Sequence, residues 1–355
     1  MKTRFLGIAL ALFFVTLNVN AQQAKPITCE LSKVTKIEKL PLSSLVQNCT
    51  FIQFEDSDNA FFKLWFTTVT DKYIGVSQHG QSPFKLFDRK GKFLCNVGSV
   101  GQGPGEYTTL YDQVIDEKAG LIYLAPFTGK KIGVYNLSGK LVREIVSPLD
   151  LNKPRMSVSN GILSVVHMPF KGDKAMAIQF DAKGNVIKQL APPQQFITGS
   201  FDGEMFNSRN TQALDFQHTN CDTLFHYDVK ENKIVPVYTV STGSTDSFKQ
   251  YIELNNRFIT NIFGKAIIST DKTTKASSKI EIVNDYYGGI NVPVNVVTFR
   301  NGWFVYNVEP GQLSEAIEKR MKESSCTAQD KQKLKKLLSS IDEDGNNVVF
   351  IGKLK

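Results

Sequence analysis

Phe84-Lys-Leu-Phe-Asp88-Arg-Lys-Gly91-Lys-Phe-Leu94 reads as a hairpin: an alternating apolar strand, an Asp-x-x-Gly turn and a second strand. The pattern returns as Ile132-Gly-Val-Tyr-Asn136-Leu-Ser-Gly139-Lys-Leu-Val and as Ala177-Ile-Gln-Phe-Asp181-Ala-Lys-Gly184-Asn-Val-Ile. Degraded copies are Leu224-Phe-His-Tyr-Asp228-Val-Lys-Glu-Asn-Lys-Ile and Ala266-Ile-Ile-Ser-Thr-Asp271. The anchors Asp88, Asn136, Asp181, Asp228 and Asp271 are 48, 45, 47 and 43 residues apart. A period in that range, built only of short strands, is what a four-stranded propeller blade needs. The fold class is therefore all-β, a β-propeller.

Working outward, each hairpin supplies strands c and d of a blade, with b and a before it. Blade 1 takes Phe61–Thr70, Tyr73–Gln78, Phe84–Phe87 and Lys92–Val97. Blade 2 runs from Gln113 to Ile145, blade 3 from Met156 to Leu190 and blade 4 from Phe201 to Val240. Blade 5 ends at Lys279–Val283. The Asp or Asn at each anchor can bond turn backbone, and the Gly three residues on suits a positive φ. Calcium ligation by these aspartates is an alternative, but the turn reading accounts for them fully.

The chain end departs from the repeat. Val294–Phe299 and Trp303–Val308 fit strands a and b of a sixth blade. A helical insert follows over 313–341, with apolar spacing at Leu313, Ile317, Leu334, Leu337 and Leu338 and a capping box at Thr327–Asp330. Val348–Ile351 then returns as strand c. The missing strand d is expected from the N-terminal segment 31–40, closing a six-bladed ring and removing a raw edge.

Residues 1–21 read as a signal peptide: Lys2 and Arg4, an apolar run from Phe5 to Val19, and the small-residue site Val19-Asn20-Ala21. The remainder, 22–355, is one domain with no membrane span after cleavage. With no Cys at the cleavage point, a lipoprotein is not expected. The destination is periplasmic or extracellular. Removing Lys2 and Arg4 leaves 40 basic against 34 acidic residues, a net charge of +6. The basic residues form no stripe with interleaved aromatics, so nucleic acid is not an expected partner. Five cysteines form no C-x-x-C, and only Cys29 and Cys49 are close in sequence.

The strongest local motif is Gly98-Ser-Val-Gly101-Gln-Gly103-Pro-Gly105-Glu106-Tyr107. It could cradle an anion with backbone amides. Pro104 removes a donor and no helix follows, so a tight crossover between blades fits better. This loop, with Phe87-Asp-x-x-Gly-Lys-Phe-Leu before it, resembles the NHL-type and TolB-like six-bladed propellers. It resembles more closely a large family of secreted six-bladed propellers of Bacteroides-type bacteria. Asn284-Asp285-Tyr-Tyr-Gly288-Gly289 and the terminal Ile351-Gly-Lys-Leu-Lys355 extend the resemblance over the whole mature chain. The resemblance implies a fold and an exported location, and brings no catalytic residues.

The chemistry is sparse. There is no G-x-S-x-G and no H-E-x-x-H, so no catalytic residue is assigned. His79 and His218 fall near b–c loops of blades 1 and 4, on the face that also carries the d–a loops. A two-histidine metal site there is conceivable, but no metal residue and no cofactor is assigned; calcium lacks support. The ligand-binding residues expected on that face are His79, Gln102, Glu106, Tyr107, Tyr111, Asp112 and His218, around the channel mouth. The favoured function is a non-catalytic binding propeller whose partner is a carbohydrate, a peptide or an envelope protein. Alternatives are a calcium-dependent hydrolase or lyase of lactonase or sugar-lyase type, and a structural subunit of an envelope assembly.

Overall fold

Each repeated turn forms as its chemistry requires. In the computed structural model, which describes residues 25–78, 80–243 and 247–355 without the side chains of Leu64 and Trp65, Asp88 Oδ1 accepts from the backbone N–H of Lys90 (2.8 Å) and Lys92 (3.0 Å). Asn136 and Asp181 repeat the bond pair in the next two blades. Gly91, Gly139 and Gly184 sit at φ 85, 80 and 91°. The left-handed φ is half of the reason for glycine. A Cβ on Gly139 would lie 2.2 Å from the Asn96 carbonyl oxygen, and one on Gly91 2.3 Å from that of Gln53. Each c–d turn thus packs on the outer strand of the preceding blade. The degraded fourth copy uses Asn232 at φ 53° instead.

Six sheets result. Blade 1 is Leu64–Val69, Tyr73–Gln78, Phe84–Asp88 and Phe93–Val97; blade 2 is Leu110–Asp116, Leu121–Pro126, Lys131–Asn136 and Leu141–Val146. Blade 3 is Arg155–Ser159, Ile162–Val166, Ala177–Phe180 and Val186–Leu190. Blade 4 is Met205–Phe206, Leu214–His218, Leu224–Asp228 and Lys233–Ser241; blade 5 is Lys249–Glu253, Arg257–Ile262, Ala266–Asp271 and Ser277–Asn284. Blade 6 is Phe299–Arg300, Trp303–Val308, Val348–Lys353 and Thr50–Gln53. The apolar core is divided among six clusters, each between two neighbouring blades. This division lets a chain of this length form one domain.

The closing strand is not 31–40. Thr50–Gln53 pairs antiparallel with Val348–Ile351 and completes blade 6. Ile37–Pro41 instead adds a parallel outer strand to blade 5, and Ile27–Glu30 does the same on blade 4. Connectivity explains the difference. Every d strand feeds the next a strand through a short connection, and only Thr50–Gln53 stands close enough to Leu64 to do so. Of the segment 31–40, Leu31–Lys33 is a 3-10 turn and the strand begins only at Ile37. The expected leader, 1–21, lies outside the described residues.

The insert forms as expected between strands b and c of blade 6, as α1 (Pro310–Lys322) and α2 (Ala328–Leu338), the latter with its capping box. Leu313, Ile317, Leu334 and Leu337 join the core between blades 5 and 6; Leu338 is half-buried against it. The Asn-Asp-x-x-Gly-Gly segment is the seat of these helices. A Cβ on Gly288 would lie 2.5 Å from Leu334, and Arg320 Nε donates to the Gly288 carbonyl (3.1 Å). The same segment clasps the N-terminal arm: Ser43 N–H donates to Asp285 (2.9 Å) and Phe51 N–H to the Tyr287 hydroxyl (3.0 Å). All five cysteines are free thiols.

Gly264 also has a positive φ, but a Cβ there meets nothing. Gly264→Ala should cost about 1 kcal/mol for the backbone conformation alone. Gly139→Ala adds a backbone collision between blades and should cost at least about 2 kcal/mol more, read by denaturant unfolding.

Candidate functional site

The centre of the ring is filled by charge. Strand a of blade 2 carries a bulge between Leu110 and Asp112, which re-aims both Tyr111 and Asp112. Asp112 is fully buried. It accepts from Arg300 Nη2 of blade 6 (2.6 Å), Arg209 Nη1 of blade 4 (3.2 Å) and Met156 N–H of blade 3 (2.8 Å). Arg155 Nη1 of blade 3 stands 3.6 Å away. Arg155 also donates to the carbonyls of Met205 (2.7 Å) and Tyr111 (3.0 Å). Phe66 of blade 1 lies between two cations, with Arg300 5.2 Å and Arg155 5.6 Å from its ring centre. Burial alone would raise the Asp112 carboxyl, but the guanidiniums of Arg209, Arg300 and Arg155 overcome it and hold it below the ordinary carboxylate value.

The d–a face is closed over this centre. Tyr111 donates its hydroxyl to Glu204 Oε2 (2.5 Å), and Lys153 Nζ donates to Glu204 Oε1 (2.7 Å) and the Phe201 carbonyl (2.7 Å). Phe201 stacks with Phe127 and Phe170 above it. His218 lies beneath the same segment, fully buried. Its Nδ1 accepts from Asn220 N–H (3.2 Å), and Nε2 has no partner among the described residues. Burial, then the nearby Lys153 charge, pushes the His218 imidazole down to about 4.

The glycine loop lies away from this mouth, over blade 2. Tyr107 is buried between blades 1 and 2; its hydroxyl donates to the Val97 carbonyl (2.6 Å) and accepts from Phe84 N–H (2.8 Å). Glu106 folds back into the loop and accepts from Gly103 N–H (2.8 Å). A Cβ on Gly101 would stand 2.0 Å from that carboxylate. Gln102 and Glu106 edge a pocket of about 200 Å³ with Lys130, Lys131 and Glu144. The structure therefore brings Tyr111, Asp112 and His218 into one region and holds Gln102, Glu106 and Tyr107 in another. His79 lies outside the described residues.

The opposite, a–b face is open. A cleft of about 670 Å³ spans the a–b turns of blades 6, 1 and 2, edged by Asp71, Lys72, Glu117, Lys118, Asn301 and Lys353. Its wall is Trp303, whose ring faces the Arg89 guanidinium at 4.4 Å and Lys353 Nζ at 5.5 Å. On the same face His226 Nε2 and Lys272 Nζ both contact the Glu253 carboxylate (2.5 and 2.6 Å), joining blades 4 and 5. Among the described residues no three His, Cys, Asp or Glu side chains converge as metal ligands. The sequence reading missed Arg155, Arg209, Arg300, Lys153 and Glu204. They come from three blades, Lys153 and Arg155 from blade 3, Glu204 and Arg209 from blade 4 and Arg300 from blade 6, and only the closed ring makes them neighbours.

With this geometry in hand, the comparisons place the chain. Residues 26–353 match the family described as Domain of unknown function (DUF4934), and the chain belongs to it. Among solved structures the fold is similar to a "Putative exported protein" of Bacteroides fragilis, 14% identical, with a TM-score of 0.65 over 93% of this chain and 100% of that one. Weaker likenesses are a DUF4221 family member of Bacteroides vulgatus (11% identical, TM-score 0.47, 88% of this chain and 98% of that one) and a streptogramin B lyase (14%, 0.46, 68% and 76%). No curated relative matches. At these identities the likeness concerns the fold, and none carries residues across. Among the described residues, no helix is long and apolar enough to cross a membrane.

Asp112→Ala leaves three buried guanidiniums short of their shared carboxylate, and should lower stability by about 3–5 kcal/mol. Tyr111→Phe, which forfeits the bond to Glu204 and leaves the buried Met205 N–H without its acceptor (3.2 Å), should cost about 2–3 kcal/mol. Both are read by calorimetry.

Acid sensitivity follows from His218. Its folded pKa is depressed from 6.5 to about 4, so its contribution is complete above pH 6.5 and is lost as pH falls from 6.5 toward 4. Buried His167 is shifted in the same direction, chiefly by burial. His218→Gln should therefore flatten part of the stability slope between pH 6.5 and 4 and leave the remainder, measured by denaturant titration at each pH.

Proposed function

We propose that this chain is an exported, non-catalytic binding propeller of the NHL/TolB-like kind, which takes a polar ligand or protein partner at a mouth of its channel. The observation that carries this reading is the contrast between the two ends of the ring. One end is packed shut by Lys153, Glu204 and the aromatic stack. The other holds a cleft of about 670 Å³ shared by three blades. Loops on a rigid ring are suited to recognition, because they vary without disturbing the blades. The cleft offers both signs of charge beside an indole, a mixture that suits a carbohydrate or a peptide of an envelope protein.

A second placement keeps to the residues expected from the sequence. The pocket beside Gln102 and Glu106 is smaller, and Tyr107, Tyr111, Asp112 and His218 would then act from behind as supports. Asp112 is a poor calcium ligand or proton donor, since Arg and backbone donors occupy both its oxygens. That weighs against the hydrolase and lyase alternatives, and the reading calls for no cofactor. Export to the periplasm or cell exterior, without a lipid anchor, rests on the leader at 1–21.

Glycan and peptide arrays probed with the mature chain test the proposal. Lys72→Ala with Lys118→Ala should reduce binding of a hit by at least about tenfold while the melting temperature stays within about 1 °C, since exposed charges contribute little to stability. Loss only with Gln102→Ala and Lys130→Ala would move the site to the glycine-loop face. No hit on either array would overturn the reading.

A further inference from the structure

The axis carries more positive charge than its carboxylates offset. The side chains of Arg155, Arg209 and Arg300 are 3, 8 and 2% exposed, and all three share Asp112. The second buried carboxylate, Asp215, takes its bonds from neutral donors: Ser208 N–H (2.8 Å), Ser208 Oγ–H (2.6 Å) and Arg209 backbone N–H (2.7 Å). Lys153 is matched by Glu204. Three guanidiniums against two carboxylates leave one positive charge. A guanidinium does not release its proton in a protein, and an unmatched buried charge is strongly destabilising.

The same cluster contains buried donors that no described residue accepts. They are Nε of Arg209, Nε of Arg300 and Nδ2 of Asn207. The side chains that carry them are neighbours. Arg209 and Arg300 meet on the one Asp112 carboxylate, and Arg300 Nη2 donates to Asn207 Oδ1 at 2.9 Å. That bond fixes which end of the Asn207 amide is the donor. The adjacent Gln113 also has an unpartnered amide oxygen, which offsets no charge. An excess of charge and unpartnered donors on neighbouring side chains call for the same remedy: a buried acceptor with a negative charge.

We propose that the axial arginine cluster binds one small monovalent anion of halide size, held by Arg209, Arg300 and Asn207. A monatomic ion suits the site, because the side chains already hold one another at hydrogen-bond distance and a sphere accepts from donors in any direction. The ion would tie blade 4 to blade 6 across the channel and stabilise the folded ring. This inference does not depend on the cleft or on any ligand there.

Calorimetry of the mature chain in sodium gluconate, with chloride substituted at constant ionic strength, tests it. The melting temperature should rise along a saturating curve by about 3–5 °C once chloride is far above its dissociation constant. Asn207→Asp supplies the missing charge within the cluster and should abolish the chloride response. Lys118→Ala, in the outer cleft, should leave the response intact. A crystal soaked in bromide should show an anomalous peak beside Arg209 and Arg300. A melting temperature indifferent to chloride, or an unchanged response in Asn207→Asp, would overturn the proposal, as would bromide peaks confined to the surface. Should Asn207→Asp not fold, the wild-type titration and the bromide map decide it.

Discussion

A propeller blade touches only its neighbours, so a ring of six has no intrinsic reason to keep its centre in register. Here one carboxylate supplies that reason. Asp112 is bonded by blades 3, 4 and 6 from its place on blade 2, and Phe66 of blade 1 lies against two of the same guanidiniums. Five of the six blades thus meet around one side chain. Such a hub is specific rather than cheap. Desolvating four charges costs much of what their attraction returns, whereas removing one partner leaves the others exposed to the full penalty. The hub therefore fixes geometry more than it adds net stability.

The periphery is held by a different device. The N-terminal arm runs along the outside of blades 4 and 5 before it closes blade 6, so it crosses three blades as a strap. Its parallel strands cover two outer edges that would otherwise offer unpaired backbone. The arm is locked by Asp285, Tyr286 and Tyr287, and the glycines after them admit α2 and Arg320. Ring closure, edge protection and the seating of the helical insert therefore share one short segment. The insert is continuous with the core between blades 5 and 6, so it belongs to the scaffold of the ring.

What the sequence makes legible is whatever local chemistry writes. The turn period, the helical insert and its capping box depend on residues three or four apart, and all are found where expected. The closing strand is not of that kind. Segment 31–40 and Thr50–Gln53 both carry apolar residues, and the choice between them is made by the distance to Leu64, a property of the ring. The axial cluster is less legible still. Arg155, Arg209 and Arg300 stand 54 and 91 residues apart in sequence, and each alone looks like an ordinary surface cation. The glycine loop shows the converse. Its motif is conspicuous because Gly101 and Gly103 must admit the Glu106 carboxylate and Tyr107 must bridge two backbones. Two of the segments that carry the resemblance, the glycine loop and residues 284–289, prove to be joints.

That the most distinctive motifs serve as joints bears on where function can reside. A residue buried between blades is constrained by packing whatever the protein binds, so Tyr107 or Gly288 says little about a ligand. The lysine side chains on the a–b turns are held more loosely. Lys72 and Lys118 make surface ion contacts at most, and Asn301 keeps a buried amide donor unpartnered at the cleft. The scaffold accounts for the d–a face almost completely: Lys153, Glu204, Tyr111 and His218 each have a structural task there. It accounts for far less of the a–b cleft. Polar side chains gathered on three adjacent blades beside an indole, with few tasks in the fold, are the observation on which the proposed recognition rests.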